Sequence, residues 1–200
     1  MMALPPDAAV QALWPVGASA KSSVWAVLDG ARSPAVYRAL LDSRLDFRCL
    51  YEGKLTRELE LAAPHLVELL PGHRLTTQLM EAGCAQNWGV LLKIADAANL
   101  RHHLRKLLKV RSADQRVLLF RYYDPRVLRA FLPTADALQL KAFFGPVGSW
   151  IAADGNGGWV EFTHDATHRL QQRPMRWSGA DADQARPGHG SNPDAGAGAA

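Results

Sequence analysis

The chain has 200 residues, of which 48% are hydrophobic and 21% charged, and its formal net charge is +4. This composition is typical of one ordinary domain with a buried core, and it excludes a chain that is disordered throughout. No unbroken apolar run approaches the ~20 residues that a membrane-spanning helix requires, so a membrane span is also excluded.

The cysteine content and the first residues indicate the cellular compartment. Cys49 and Cys84 belong to no CxxC pair, which excludes a disulfide scaffold and a cysteine-based zinc module. We expect both cysteines to be reduced and buried in a cytoplasmic protein. Residues 1–7 contain no basic residue and no apolar segment, so we expect no secretory signal there.

Predicted strands and helices alternate along most of the chain. In order, they are a helix at 7–14, a strand at 23–28, a helix at 34–43, strands at 47–51 and 66–70, a helix at 75–81, a strand at 88–94, a helix at 97–109, a strand at 117–122, helices at 125–132 and 135–143, and a hairpin of strands 147–152 and 159–163. This alternation predicts an α/β fold, a single domain with a mixed β-sheet flanked by helices.

Several helix ends follow from local residues. Ser33-Pro34 and Asp124-Pro125 each place a capping side chain immediately before a proline, the arrangement favoured at a helix start. Asp96 is predicted to cap the helix at 97–109, and Gly83 to close the helix at 75–81.

The last residues differ in composition from the rest of the chain. Residues 178–200 are rich in glycine and alanine and contain no aromatic or large aliphatic side chain. Such a segment cannot offset the entropy of ordering, so we expect a disordered tail after a folded domain at 1–177.

Positive charge is concentrated in residues 101–129, which hold nine Lys or Arg against two acids and carry +7, whereas the rest of the chain carries −3. A basic segment of this kind can bind nucleic acid or an acidic protein, or can be a solvated surface. Nucleic acid is disfavoured, because no helix-turn-helix, zinc-finger or RNA-binding strand motif accompanies the charge.

Candidate catalytic and metal-binding residues are few. His102 and His103 are adjacent, so they point about 100° apart on a helix and are expected to be surface histidines. His164 and His168 are four residues apart, a spacing that suits two metal ligands. A zinc site needs three or four ligands, so we expect no metal here, and we expect no cofactor. Asp29 lies at the end of a buried strand, where catalytic acids often occur, but it has no evident partner. A turn at Asp29-Gly30 is enough to explain an aspartate at this position. Cys49 has no neighbouring base by motif.

The most informative segment is residues 119–128, where an apolar strand is followed by Tyr122-Tyr123, the capping Asp124 and a helix with Arg126 in its first turn. A cation at that position is opposed by the helix dipole, so Arg126 should have an anionic partner. The partner is either an internal carboxylate such as Asp124, which would fix the strand–helix corner, or a bound protein.

Seven short segments in this chain together resemble a known family. They are Trp25 to Arg32, Leu50 to Gly53, Ala63 to Val67, Asn87 to Val90, His102 to Arg105, Leu119 to Val127, and Phe143 to Val147. In this order they resemble the adaptor, or effector chaperone, proteins of bacterial type VI secretion systems, a family described as a domain of unknown function. The resemblance covers residues 25–147.

The resemblance implies a cytoplasmic, non-enzymatic protein that binds a cognate type VI effector and promotes its loading onto the VgrG spike protein. It implies that the chain has no catalytic residues and does not bind a membrane. Arg121, Asp124 and Arg126 match the most characteristic motif, and we add Arg101, Arg105 and Trp177 as candidates for partner contacts. Trp150 and Trp159 are expected in the core of the hairpin, and Trp177 as the exposed aromatic anchor.

Two alternatives remain open at the level of the sequence. One is a small α/β enzyme that uses Asp29 or the histidines, and the other is a nucleic-acid binder that uses residues 101–129.

Overall fold

The computed structural model describes residues 11–14, 22–111 and 114–175. The predicted tail at 178–200, Trp177 and the first part of the predicted helix at 7–14 lie outside these residues. Residues 11–13 are helical, in agreement with the end of that helix. The division into a domain at 1–177 and a tail stays a prediction.

A seven-stranded sheet forms the centre of the described chain, in the order β2-β3-β1-β4-β7-β8-β9. Its strands are β1 (Ser23–Asp29), β2 (Phe47–Cys49), β3 (Pro64–Leu69), β4 (Gly89–Ile94), β7 (Val147–Ala153), β8 (Trp159–His164) and β9 (Leu170–Met175). A separate two-stranded sheet contains β5 (Lys109–Arg111) and β6 (Val117–Leu119).

Six α-helices of five residues or more lie between these strands in the described ranges. They are α1 (Pro34–Ser43), α2 (Arg57–Ala62), α3 (Arg74–Gln78), α4 (Leu100–Leu107), α5 (Pro125–Phe131) and α6 (Ala137–Phe144). Ser33 and Asp124 cap α1 and α5 through their side chains, and each helix has proline in its first turn, as predicted. The predicted α/β class, with helices flanking a sheet, is therefore confirmed.

The strand directions differ from the predicted mixed sheet. Each pair of neighbouring strands in the described sheet is antiparallel, including the pairing of the central β1 with both β3 and β4. Alternation of strands and helices along the chain does not specify direction, because a helix can also connect two antiparallel strands when the chain crosses to another position in the sheet.

Three predicted boundaries were wrong. Gly83 does not close a helix, because α3 continues through a π-helical turn at Leu79–Gly83 and then Cys84–Gln86. Asp96 accepts a hydrogen bond from the Ala98 amide instead of capping α4, which begins at Leu100. Helix α4 ends at Leu107, so Lys109 belongs to strand β5. The sequence also did not predict α2 and β9.

The sheet is covered on both faces, which explains why its central strands are apolar without alternation. One face of β1 packs Val24, Ala26 and Leu28 with the buried residues of α1 and α3. The other face packs Val27 with α4, α5, α6, Tyr122 and Tyr123. Trp150 and Trp159 are buried in these two cores, as predicted.

Candidate functional site

Several of the motif segments meet at one edge of the sheet. There β1 ends at Asp29, which lies opposite Pro64 at the start of β3, and Leu28 lies opposite Gly89 at the start of β4. Strand β2 ends beside them at Cys49. We refer to this edge, with the segment Arg121–Arg126 that packs on it, as the Asp29 edge.

Asp29 has a partner that the sequence did not reveal. Its carboxylate is only 1% exposed and forms an ion pair with the Arg121 guanidinium, whose side chain is 42% exposed. The other carboxylate oxygen accepts a hydrogen bond of 3.2 Å from the Ala31 amide, which is the predicted turn chemistry. Because the two paired residues are 92 positions apart, no local pattern identifies the pair.

Gly30 brings helix α2 against this edge. Its amide donates a hydrogen bond of 3.1 Å to the Ala63 carbonyl. A Cβ atom at this position would lie 2.1 Å from the Leu61 carbonyl oxygen, which is closer than atoms can approach. Residue 30 must therefore be glycine for the end of α2 to pack here.

Arg126 finds its anionic partner two residues away. Its Nε and Nη2 donate to the two oxygens of the Asp124 carboxylate at 3.0 and 2.6 Å, and its backbone amide donates to the same carboxylate at 3.0 Å. Burial by itself would raise the pKa of Asp124, but these bonds outweigh it and hold the pKa below its usual value. Of the two predicted partners, the internal carboxylate is confirmed.

Tyr123 lies beside Arg121 and contacts two other tyrosines, Tyr51 and Tyr122. The Tyr122 hydroxyl donates to the Leu104 carbonyl at 3.0 Å, and the hydroxyls of Tyr51 and Tyr123 lie 3.4 Å apart. The Arg121 guanidinium lies 5.8 Å from the centre of the Tyr123 ring. Burial raises the pKa of Tyr123, so this hydroxyl stays protonated at neutral pH.

Arg101 and Arg105 connect helix α4 to the loop after β2. The Arg101 guanidinium donates to the Cys49 carbonyl at 3.0 Å, and Arg105 forms an ion pair with Glu52. Cys49 was predicted to be buried, but it is only half-buried. Burial raises the pKa of its thiol, which is the opposite of what a reactive cysteine needs.

The adjacent histidines have different environments. His102 is exposed, as predicted, but His103 is half-buried and its Nε2 donates to the Phe143 carbonyl at 2.9 Å. Burial lowers the pKa of His103. A Cβ atom on Gly145 would lie 2.4 Å from the His103 ring, and Gly145 also has a φ of +50°, so this contact requires glycine.

The rings of His164 and His168 contact each other at an interplanar angle of 51°, with their centres 4.8 Å apart. Among residues 11–14, 22–111 and 114–175, no three His, Cys, Asp or Glu side chains gather as metal ligands.

Much of the basic segment at 101–129 is engaged with other parts of the fold. Besides the three pairs above, Arg116 pairs with Asp114, and Arg129 donates to the Ala153 carbonyl. Exposed cations remain on α4 and β5, at Lys106, Lys109 and Arg111.

The β5–β6 hairpin is the feature that sequence reasoning missed. Its apolar side chains are exposed: Val110 is 39%, Val117 57%, Leu118 48% and Leu119 54% exposed. The run at 117–119 was expected to be an ordinary strand of the sheet. The arginines on either side of this run, Arg116 and Arg121, could have indicated that the strand faces solvent.

A cleft of about 380 Å³ lies between this hairpin, helix α4 and the loop after β2. We call it the hairpin cleft. Its apolar lining comes from four leucines, and the rest of its lining is polar or charged. The leucines are Leu50, Leu55, Leu108 and Leu119, and the polar or charged residues are Tyr51, Glu52, His102, Arg105, Lys106 and Lys109.

The fold and these contacts define an α/β protein with helices on both faces of an antiparallel sheet. Its motif arginines have internal partners, and half of the exposed large apolar side chains in the described residues lie on one hairpin. Residues 24–142 match the model of a family described as a domain of unknown function, DUF4123. The match covers more than half of the chain, which therefore belongs to this family.

Neither the curated proteins nor the solved structures compared with the chain include a match. The family match ends within α6, although β7, β8 and β9 continue the same sheet. None of the helices in the described ranges is both long enough and apolar enough to cross a membrane.

Proposed function

We propose that this chain is a cytoplasmic adaptor, or chaperone, that binds an effector of a type VI secretion system and promotes its loading onto the VgrG spike. It acts by stoichiometric protein–protein recognition, without turnover or a cofactor. The observation that carries the proposal is the DUF4123 match over residues 24–142, because this family is associated with type VI effector adaptors.

The geometry at the Asp29 edge supports a binding role over a catalytic one. Asp29 would have to be free to act as a base, but Arg121 occupies its carboxylate. Asp124 is occupied in the same way by Arg126 and by the start of α5. These groups stabilise the corner between the sheet and α5, and the exposed apolar hairpin offers the kind of surface that partner proteins cover.

Co-expression with the proteins encoded by the adjacent genes tests the proposal. We expect affinity purification and light scattering after size exclusion to show a complex of defined stoichiometry, and the soluble yield of the partner to rise. An effector from an unrelated system serves as the non-cognate control. Well-folded protein that forms no complex with either a neighbouring toxin or a spike protein would contradict the proposal.

A further inference from the structure

The hairpin cleft has the exposed apolar side chains and the charge of a surface that binds a protein segment. Four of the eight exposed large apolar side chains in the described residues lie on β5 and β6, and two of these four, Val117 and Leu119, lie on the face that borders the cleft. Clustered exposed apolar residues mark interaction sites, whereas single ones are ordinary.

The strand register shows which of these side chains face the cleft. Lys109 lies opposite Leu119 and Arg111 opposite Val117, whereas Val110 lies opposite Leu118. Because side chains alternate between the faces of a strand, Val117 and Leu119 share one face with the two cations. Lys109 and Leu119 line the cleft, so this is the face that borders it.

The cleft combines apolar side chains with basic ones in its lining. Leu50 and Leu108 are buried at its base, and the exposed cations Lys106, Lys109 and Arg111 lie on the side of α4 and β5. The acid in its lining, Glu52, is neutralised by Arg105. A complementary partner therefore needs apolar side chains for the interior and carboxylates beside them.

The dimensions favour a helix over an added strand. A volume of about 380 Å³ accommodates several apolar side chains from one face of a helix. Strands β5 and β6 have three residues each, so an added strand could form only a few backbone hydrogen bonds.

We propose that the hairpin cleft binds an amphipathic helix of the effector, with aliphatic side chains in the cleft and acidic side chains beside Lys106, Lys109 and Arg111. This inference rests on the proposed adaptor function and identifies the surface that performs it. The helix is recognised by its apolar face, and its flanking acids set the orientation and the rate of association.

The test measures the affinity of the full chain for the full-length product of the adjacent toxin gene. Two variants change the cleft, the double substitution V117S/L119S and the charge reversal Lys109→Glu. Two matched controls lie on α6, Leu138→Ser, whose side chain is 78% exposed, and Lys141→Glu, which is also exposed. All of these positions are on the surface, so the variants should fold, and thermal unfolding verifies this.

We expect each cleft variant to raise Kd by about tenfold or more, and each control to leave it within about twofold. The effect of Lys109→Glu should shrink as salt is raised, because it acts on exposed charges. Hydrogen exchange of the complex should show new protection at 105–111 and 117–119, together with protection of a helical segment in the partner.

Four outcomes would overturn the inference. If the complex forms but the cleft variants bind like wild type, the cleft is not the docking surface and the adaptor function stands. The same follows if protection falls instead on the groove beside Tyr37 and Leu41, or if the hairpin is covered by a second copy of this chain. If the wild-type chain binds no neighbouring product, the adaptor function and the inference fail together.

Discussion

The buried carboxylate of Asp29 depends on one cation. Removing a charged residue from water is costly unless a partner compensates, and Arg121 supplies this compensation from the opposite end of the family match. The guanidinium is partly exposed, which weakens the pair relative to a fully buried one. The characteristic arginine of the motif therefore has an internal role at this edge.

We predict that Arg121→Met destabilises the chain more than Asp29→Asn does. Arg121→Met leaves the Asp29 carboxylate buried without a cation and should cost about 2–3 kcal/mol, whereas Asp29→Asn removes the charge, keeps the Ala31 hydrogen bond and should cost about 1 kcal/mol. Urea unfolding followed by tryptophan fluorescence measures both.

The double variant D29N/R121M should recover part of the loss of Arg121→Met, because no uncompensated charge remains. An Arg121→Met variant that is as stable as Asp29→Asn would show that the pair is not what holds Asp29 in place.

At the scale of elements, Glu161 connects four strands. Its carboxylate on β8 accepts hydrogen bonds from Lys93 on β4 at 3.0 Å, Ser149 on β7 at 2.9 Å and Arg173 on β9 at 2.5 Å. Lys93 also donates to the Ala12 carbonyl at 3.2 Å, which attaches the helical residues 11–13 to the sheet. Glu161 thus connects β9 to β4 and β7 through its side chain, and its partner Lys93 attaches residues 11–13.

The pH dependence of this contribution follows from the pKa of Glu161. Burial by itself would raise this pKa, but the bonds from Arg173 and Lys93 outweigh it, and the pKa lies below its usual value. A carboxylate whose pKa is lowered by folding stabilises the folded state at pH values above its pKa in the unfolded chain, which is about 4.3. This stabilisation is lost as the pH falls through the pKa of the folded state.

We predict that Glu161→Gln lowers the free energy of unfolding by a constant amount, about 1–3 kcal/mol, between about pH 6 and 8. Below about pH 4.3 the difference from wild type should shrink, because the wild-type side chain becomes neutral as well. Urea unfolding of both proteins across this range measures it. A difference that stays constant down to about pH 3 would contradict the assignment.

At the scale of the whole molecule, the basic segment is less available than its sequence suggests. Arg105, Arg116, Arg121 and Arg126 each pair with an acid of the described chain, and the exposed cations border an apolar cleft. Nucleic-acid binding without base contacts depends on free cations along a continuous surface.

We therefore predict that the chain binds a short DNA duplex no more tightly than about 10 µM at about 0.15 M salt. Fluorescence anisotropy with a labelled duplex and a labelled single strand measures this. Submicromolar binding that weakens steeply with salt would favour the nucleic-acid alternative over the adaptor.

Features that depend on neighbouring residues could be predicted before the structure was known. Ser33-Pro34 and Asp124-Pro125 predicted two helix starts, because a cap and a first-turn proline act within a few positions. The apolar runs predicted the central strands, and the motif segments predicted membership of a family described as a domain of unknown function. The pairing of Asp124 with Arg126 was also within reach, since only one residue separates them.

Features that depend on residues far apart in the chain could be seen only in the folded protein. The antiparallel order of the sheet, the pairing of Asp29 with Arg121 and the convergence of strands on Glu161 all join segments far apart in the chain. Exposure was decided there as well: Val117 and Leu119 have the composition of a buried strand, and they are exposed because β6 pairs with β5 outside the main sheet. Burial is a property of the assembled fold, so a local pattern of apolar residues cannot specify it.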